Sequence, residues 1–204
     1  MFEGEYLNGK RNGKGKEYYD NGELKFEGEY LNDFRRKGRE YINSNLEYEG
    51  EYLYNKKWNG KGYNKNAKII YEVINGNGNI KEYDSYGNLI YEGEYLNGER
   101  NGKGKEYQYE YNNGILIYKG EFLNGEKNGK GKEYLKDYLD SKLIFEGEYL
   151  NNFRRKGREY INGKLEYEGE YLYNKKWNGK GYNKKGKIIY ELINFFALFV
   201  FHIT

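Results

Sequence analysis

The residues that could act as nucleophiles or proton carriers are few and poorly placed. The single histidine, His202, lies among the last three residues, and the hydroxyl candidates are Ser44, Ser85, Ser141 and Thr204, each in an expected turn or at the terminus. A nucleophilic triad needs a histidine placed between a hydroxyl and a carboxylate. These positions assemble no such triad, and we predict that the chain has no catalytic residues and is not an enzyme.

Carboxylate pairs are plentiful, but they recur along the whole chain. Glu3 and Glu5 form one pair, and Glu92 and Glu94 form another. A catalytic pair needs one site in which the two pKa values are split. A pair that repeats in every unit is instead typical of a solvated face.

The glycine- and lysine-rich segments have the composition of phosphate-binding loops but not their pattern. Residues 9–16 (GKRNGKGK) lack the Walker spacing and the Ser or Thr that would hold magnesium, and residues 76–81 (GNGNIK) do not fit the dinucleotide motif. Cysteine is absent, and neither a histidine pair nor a calcium-loop spacing of carboxylates occurs. We therefore expect no metal and no cofactor.

The composition is unusual for a globular domain. A third of the 204 residues are charged, 29 are glycine and none is proline, which would suggest disorder if the chain did not also contain 27 Tyr, 10 Phe and 2 Trp. Tyrosine combines a large apolar ring with a polar tip, which suits a sheet that is covered on one side by a thin aromatic layer. The 35 basic and 32 acidic residues nearly cancel, so nucleic acid is not an expected partner.

A short phrase, aromatic–Glu–Gly–Glu–aromatic–Leu, recurs with small changes along the chain. It starts at Phe2, Phe26, Tyr48, Tyr91, Tyr118, Phe145 and Tyr167, with degenerate copies at Tyr71 and Tyr190. A larger duplication is superimposed on it, because residues 26–75 match residues 145–194 at 44 of 50 positions. Such multiplication of units predicts a quasi-linear repeat structure in which each unit contacts its neighbours.

Within each unit the hydrophobic period is two. Leu24, Phe26, Gly28 and Tyr30 alternate with Lys25, Glu27 and Glu29, which is the pattern of a half-buried strand. We expect Lys14 and Lys16 on the preceding strand to lie close to the face of Glu27 and Glu29. A glycine inside the strand, such as Gly28, should let an aromatic ring from an adjacent strand lie against the backbone, and Gly13 and Gly15 could do the same.

Asn-Gly pairs mark the turns between these strands, because both residues reach positive φ cheaply. One loop of the unit is bracketed by two such pairs and the other contains one. The pairs of the first loop are Asn8-Gly9, Asn12-Gly13, Asn97-Gly98, Asn101-Gly102, Asn124-Gly125 and Asn128-Gly129; those of the second are Asn21-Gly22, Asn113-Gly114 and Asn162-Gly163.

These units resemble the MORN repeat, whose pattern is Tyr-x-Gly-x-aromatic, then Gly, then Gly-x-Gly. Residues 91–107 (YEGEYLNGERNGKGKEY) and 118–134 (YKGEFLNGEKNGKGKEY) carry it in full. The resemblance covers residues 2 to about 193. It implies an all-β fold, an elongated open antiparallel sheet of consecutive β-hairpins forming a MORN-repeat solenoid. It also implies membrane-linked scaffolding, protein interaction or phospholipid binding.

Some units depart from this pattern. Asn55 and Asn174 stand where Gly is usual, and Val73 replaces the strand glycine, so we expect a local irregularity near residues 71–90. We assign residues 1–194 to about eight units, which start near residues 2, 26, 48, 71, 91, 118, 145 and 167, with a partial unit at 190. Residues 195–204 (FFALFVFHIT) form a hydrophobic tail that is too short to span a bilayer. It could be a cap on the sheet, an anchor or the product of a truncated gene.

Two sets of residues are the candidate binding surfaces. Basic residues that recur at equivalent loop positions should line one edge of the ladder, and we predict contact with anionic lipid or an acidic partner at Lys10, Arg11, Arg35, Arg36, Lys37, Lys56, Lys57, Arg154, Arg155, Lys156, Lys175 and Lys176. The aromatic face is the candidate groove for a protein or peptide, with Phe26, Tyr30, Tyr48, Tyr52, Tyr91, Tyr95, Tyr118, Phe122, Phe145, Tyr149, Tyr167 and Tyr171.

The function that we predict is a non-enzymatic scaffold that mediates protein–protein interaction, either free or at a membrane surface. Two alternatives remain open: an antitoxin-like inhibitor that binds a partner enzyme, and a peripheral module that binds anionic phospholipid. End-to-end homodimer formation is a further hypothesis. Charged repeat residues begin at once and cysteine is absent, so we expect no signal peptide and a cytoplasmic location, peripheral at a membrane if lipid is bound.

Overall fold

The computed structural model of the chain describes residues 1–110, 113–136 and 141–194. The described residues form strands and turns, with no helix among them. The chain divides into two compact units, Met1–Gly114 and Ile115–Thr204. The three interpretations of the tail at 195–204 lie outside the described residues, as do His202 and Thr204.

The first unit contains ten strands in chain order. They are β1 (Phe2–Leu7), β2 (Lys10–Tyr18), β3 (Leu24–Leu31), β4 (Phe34–Ile42), β5 (Asn45–Leu53), β6 (Lys56–Tyr63), β7 (Ile69–Val73), β8 (Gly78–Tyr83), β9 (Leu89–Leu96) and β10 (Glu99–Glu110). Strands β1 to β7 form one open antiparallel sheet in sequential order, and β8, β9 and β10 are likewise sequential neighbours.

The second unit repeats this arrangement. Its strands are β11 (Asn113–Leu123), β12 (Glu126–Lys136), β13 (Ser141–Leu150), β14 (Phe153–Ile161), β15 (Lys164–Leu172), β16 (Lys175–Tyr182) and β17 (Ile188–Leu192), again antiparallel and in sequential order. The predicted all-β architecture of consecutive hairpins is therefore confirmed.

Two-residue turns close the hairpins at the end of each phrase. Asn8 and Gly9 have φ angles of 51° and 76°, and Asn32 and Asp33 have 50° and 71°. Positive φ at both central residues defines the turn whose twist matches that of the flanking strands. The second Asn-Gly pairs, expected to bracket the loop, instead lie inside strands. Gly13, for example, sits in β2 with φ 96°, where the register between β1 and β2 shifts.

A row of paired glycines crosses the sheet. Gly28 lies opposite Gly38, and a Cβ placed on Gly28 would be 2.7 Å from both the Gly38 Cα and the Phe26 Cζ. The Phe26 ring covers Gly38 as the sequence predicted, from an adjacent strand, but it covers Gly28 from the same strand. Phe2 covers Gly15 as predicted. The prediction is wrong for Gly13, because the carboxylate of Glu5 occupies the space there instead of a ring.

The regular ladder is interrupted between β7 and β8, within the first unit. Val73 pairs with Gly60 and Ile80 pairs with Gly93, so an aliphatic side chain replaces one glycine of each pair. Both side chains are 2% exposed and join Tyr71 in the core, and a single bridge between Ile74 and Asn77 links the two strand ends. The irregularity expected near residues 71–90 lies at this break.

Candidate interaction surfaces

Aromatic rings line one face of each unit and pack edge to face. In the first unit the ring centroids of Phe26 and Tyr30 are 5.5 Å apart, those of Phe26 and Tyr52 also 5.5 Å, and those of Tyr48 and Tyr52 5.4 Å. Ring pairs in this geometry contribute about 0.5–1.5 kcal/mol beyond the burial of their area. The second unit repeats the arrangement through Phe145.

A layer of cations covers these rings. The Arg35 guanidinium carbon lies 4.2 Å from the centre of the Phe26 ring, and its Nη2 lies 2.6 Å from a carboxylate oxygen of Glu17. The same guanidinium pairs with Glu40, and the Tyr30 hydroxyl donates to Glu17 at 2.9 Å. Equivalent cations over equivalent rings are Arg11 over Phe2, Arg100 over Tyr91, Lys127 over Tyr118, Arg154 over Phe145 and Lys176 over Tyr167.

The ion pairs of Arg35 and Arg100 favour the charged form of two carboxylates, Glu17 and Glu82. Burial alone would raise the pKa of Glu17, but the hydrogen bond and the charge of Arg35 outweigh it, so the pKa falls below its usual value. The pKa of Glu82 is lowered in the same way by Arg100. Burial and the hydrogen bond to Glu17 raise the pKa of Tyr30, which stays neutral.

The buried carboxylate Glu47 belongs to a cluster of charges around Lys57 in the first unit. The Lys57 ammonium lies 2.5 Å from Glu47 and 3.2 Å from Glu40, and the Tyr71 hydroxyl donates to Glu47 at 2.7 Å. Burial raises the pKa of Glu47, whereas the charges of Lys57 and Arg35 overcome burial and lower that of Glu40. Both carboxylate oxygens of Glu47 are engaged, one by Lys57 and one by Tyr71. The pKa values of Glu40 and Glu47 therefore shift in opposite directions for a structural reason, and the two carboxylates are not available as a general acid and base.

The predicted basic residues divide into two groups. Five belong to the cation layer and are paired with carboxylates: Arg11, Arg35, Lys57, Arg154 and Lys176. Seven are exposed: Lys10, Arg36, Lys37, Lys56, Arg155, Lys156 and Lys175. Lys56 of this exposed group is paired with Glu99 at 2.6 Å. Contact with lipid or an acidic partner remains a prediction, and the other six exposed cations are the part of the set that can make it without breaking an ion pair of the cation layer.

The predicted aromatic groove is occupied by its own side chains. Eleven of its twelve rings are buried, and Tyr95 is half-buried. The rings contact one another and the cation layer, so a partner would reach them only after the cations moved. Their assignment as a binding groove remains a prediction, whereas their place in the core is observed.

The opposite face carries alternating charges. Lys14 pairs in register with Glu29 and Lys16 with Glu27, as the sequence predicted. The Lys16 and Glu27 charges are 3.9 Å apart, and further along the sheet Arg39 and Glu49 are 2.8 Å apart. Opposite charges across two strands contribute roughly 0.2–1 kcal/mol per pair.

At the hairpin-loop edge, this charged face exposes apolar side chains. We define the first apolar stripe as Leu7, Leu31, Phe34 and Tyr54 in the first unit, and the second as Leu123, Leu150, Phe153 and Tyr173 in the second. The ring centroids of Phe34 and Tyr54 are 5.5 Å apart, and those of Phe153 and Tyr173 are 5.6 Å apart. Sequence reasoning missed these stripes, although Leu recurs at the end of each phrase.

Side-chain clamps hold successive loops together beneath the stripes. The Asp33 side chain accepts from the Arg11 backbone nitrogen at 2.9 Å, and that of Asn55 accepts from the Arg35 backbone nitrogen at 2.8 Å. In the second unit Asn152 accepts from Lys127 at 2.9 Å and Asn174 from Arg154 at 2.8 Å. The departures from Gly at positions 55 and 174 therefore supply an acceptor that glycine lacks.

Two tyrosines occupy a backbone conformation that disfavours them. Tyr54 and Tyr173 have φ angles of 50° and 48° at turn positions where other hairpins carry Asn. A bulky residue in the left-handed region costs roughly 1–2 kcal/mol. These rings are 69% and 71% exposed, so burial does not offset the cost. Such strain is typical of sites that are retained for function.

Sites for metal or for passage through a membrane are not found in the described part of the chain. Within residues 1–110, 113–136 and 141–194 there is no cluster of three metal-ligating side chains. The same residues contain no helix with the length and apolar character needed to cross a bilayer.

Sequential hairpins, a glycine row and a one-sided aromatic core define a β-hairpin repeat protein. Three regions of the chain match the MORN repeat family model, at residues 2–23, 91–114 and 118–139. This repeat type is non-catalytic and is generally associated with protein or membrane-lipid interactions. No curated protein matches the chain.

Proposed function

We propose that this chain is a non-enzymatic scaffold that binds a protein partner along its hairpin-loop edge. The observation that carries the proposal is the pair of apolar stripes, which stay exposed although most aromatic side chains of the described strands are buried or half-buried. Exposed apolar groups rimmed by polar residues are typical of interaction sites. Tyrosine and arginine are also enriched among the residues that contribute most to binding.

The clamps and the strained turns support the same proposal. Because Asn55 and Asn174 tie each loop to its neighbour, the stripe residues are held before a partner arrives, which lowers the entropic cost of binding. Arg36 and Arg155 are exposed close by in the sequence. We therefore expect the partner to present an apolar patch bordered by carboxylates.

A comparison of two baits tests the proposal. Wild type and the double variant Tyr54→Asn/Tyr173→Asn are used to capture proteins from the native cell extract. Asn occupies the equivalent turn position at Asn32 and Asn151, so the variant should keep the fold. We expect a protein that wild type retains and the double variant loses. The matched control is Tyr86→Asn, which removes an exposed tyrosine outside the stripes and should retain the partner.

The same set of proteins on all three baits would contradict the proposal. The identity of the retained protein separates two forms of it. A partner enzyme that is inhibited on binding would indicate an antitoxin-like inhibitor, whereas structural partners would indicate a scaffold.

Anionic membrane lipid is the second candidate partner, favoured by the cations beside the stripes. Each exposed cation near an anionic surface contributes about 1 kcal/mol, and tyrosine is enriched at membrane interfaces. Sedimentation with vesicles that contain phosphatidylserine, compared with neutral vesicles, tests this candidate. We expect the double variant Arg36→Glu/Arg155→Glu to abolish any sedimentation with the anionic vesicles. The lipid role would be excluded if the wild-type protein does not sediment with them.

A further inference from the structure

A cavity lies among three consecutive turns of the first unit, at the loop edge opposite the first apolar stripe. The turns join β4 to β5, β6 to β7 and β8 to β9, and the volume between them is about 170 Å³. The cavity and the apolar stripes have no residue in common. It is therefore a site separate from the proposed partner surface.

The first and third of these turns are tied to each other. The Asn43 side-chain nitrogen donates to the Tyr86 backbone oxygen at 2.8 Å, although the two residues are 43 positions apart. Gly87 permits this approach, because a Cβ there would lie 3.1 Å from the Asn43 Nδ2 and 3.4 Å from the Ile42 Cγ2. The contact therefore bridges the turn between them and fixes the width of the cavity.

Side-chain acceptors also order the second and third turns. The Asn64 Oδ1 accepts from two backbone nitrogens of its own turn, each at 3.0 Å, and the Asp84 Oδ1 accepts from two in its turn, each at 2.9 Å. Such hydrogen bonds hold a turn in one local conformation. A cavity whose walls are ordered in advance binds a ligand without the entropic cost of ordering them.

The walls of the cavity are mainly apolar. Ile42 and Leu46 contribute from β4 and β5, and Tyr63 and Tyr83 from β6 and β8, each with a half-buried side chain. An apolar cavity of about 150 Å³ is large enough to bind benzene. The cavity in this chain therefore fits one six-membered ring.

A carboxylate is the buried polar group of the cavity. Glu47 is 6% exposed, whereas the other residues that line the cavity are half-buried or exposed. Its oxygens accept from Lys57 and Tyr71, but an ionised carboxylate has about four acceptor positions. Acceptor capacity therefore remains for a donor that enters the cavity.

The charges around Glu47 favour a positively charged donor. Burial raises the pKa of Glu47, and the charge of Lys57 offsets this only in part, because Lys57 is shared with Glu40. A further positive charge would stabilise the ionised form of Glu47. Aromatic rings such as those of the cavity wall also attract cations. Lys65 lines the cavity as well, but it is exposed and its charge is screened by solvent.

We infer that this cavity binds a small organic cation, in which a primary ammonium is attached to a single apolar ring. The ring lies between the apolar walls, and the ammonium donates to the Glu47 carboxylate. The cavity is too small for a second ring. Substitution of the Tyr86 side chain keeps the backbone oxygen that Asn43 uses, so the control variant of the partner experiment leaves this site intact.

Three probes of one shape and different charge test the inference: benzylammonium, benzyl alcohol and benzoate. Each is titrated into the full chain, and binding is followed residue by residue by NMR. We expect benzylammonium to shift the amides of residues 42–47, 63–65 and 83–87. It should bind about 10-fold more tightly than benzyl alcohol, because a hydrogen bond between charged groups contributes more than one from a neutral donor. Benzoate should not bind there.

Two substitutions locate the ligand. Leu46→Phe fills the cavity and should abolish the binding of benzylammonium, and Glu47→Gln should remove its preference over benzyl alcohol. The matched controls are Leu165→Phe and Glu166→Gln, which change the duplicated positions in the second unit and should alter neither result.

The inference is overturned if benzylammonium leaves these amides unshifted, or if benzyl alcohol or benzoate binds wild type as tightly. Equal binding of benzylammonium by Leu46→Phe and by wild type would also overturn it, because the ligand would then lie elsewhere. The comparison of the three probes on wild type decides the matter even if Glu47→Gln does not fold.

Discussion

Arg35 lies over the face of Phe26, with the guanidinium carbon 4.2 Å from the ring centre, and pairs with Glu17 at 2.6 Å. One side chain thus covers the aromatic core and neutralises a half-buried carboxylate from another strand. Because equivalent cations cover equivalent rings in both units, the cation layer does for this open sheet what a second layer of secondary structure does in a sandwich.

The first prediction concerns Arg35 itself. Its side chain is 11% exposed, so Arg35→Ala leaves Glu17 without its main counter-charge and removes one of the two cations paired with Glu40, which should cost about 3–5 kcal/mol of unfolding free energy. The neighbouring Arg36→Ala removes an exposed cation and should change stability by about 0.5 kcal/mol at most. Urea denaturation of both variants measures the difference, and equal effects would show that the layer is not structural.

Removal of two tyrosine hydroxyls in the core should have different effects on the stability of the fold. The Tyr30 hydroxyl donates to Glu17 at 2.9 Å, so Tyr30→Phe should cost about 1 kcal/mol. The Tyr52 hydroxyl is buried and has no hydrogen-bond partner among the described residues, so Tyr52→Phe should be neutral or stabilising. Thermal unfolding followed by circular dichroism compares the two, and a larger loss from Tyr52→Phe would contradict the hydrogen-bond assignment.

Acid should weaken the fold through the carboxylates of the cation layer. The pKa of Glu17 is lower in the folded chain than in the unfolded chain, so its ionised form stabilises the fold above the usual carboxylate pKa. This contribution is lost as the pH falls through the lowered pKa. Glu17→Gln should therefore be less stable than wild type at neutral pH, and the two unfolding free energies should converge below about pH 4. If the unfolding free energies of wild type and Glu17→Gln differed by the same amount at every pH, this assignment would be contradicted.

Relief of the turn strain at Tyr54 should raise the stability of the fold, even though the same change is expected to weaken partner binding. Tyr54→Asn places at the turn a residue that tolerates positive φ, so it should raise stability by up to about 1–2 kcal/mol. The Phe34 ring loses its neighbour in the same variant, which reduces the gain. Denaturant unfolding measures the change. A clear loss of stability would show that Tyr54 is present for the fold and not for a partner.

The fold was predictable because the same strand and turn patterns recur many times along the sequence. The alternation of Phe26, Gly28 and Tyr30 fixes which side of the strand is covered, and the Asn8-Gly9 pair fixes where the chain turns. The break between β7 and β8 was also visible, because Val73 puts a side chain where the ladder requires none.

The surfaces were less predictable because they depend on contacts between neighbouring repeats. Arg35 and Arg36 are adjacent in sequence, but a register shift between Glu29 and Tyr30 turns Arg35 onto the rings and leaves Arg36 exposed. The Asn55 clamp joins residues 20 positions apart, so its role appears only when the loops are stacked. Reading residue types alone therefore placed all the loop cations on one edge.

Site-specific photocrosslinking tests the central claim, that the apolar stripes are where a partner binds, most directly. A benzophenone amino acid is introduced at Tyr54, at Tyr173 or, as the exposed control, at Tyr86, and each protein is irradiated in native extract. We expect the same partner adduct from positions 54 and 173 and none from position 86. The claim is contradicted if a partner is crosslinked at position 86 but at neither stripe position.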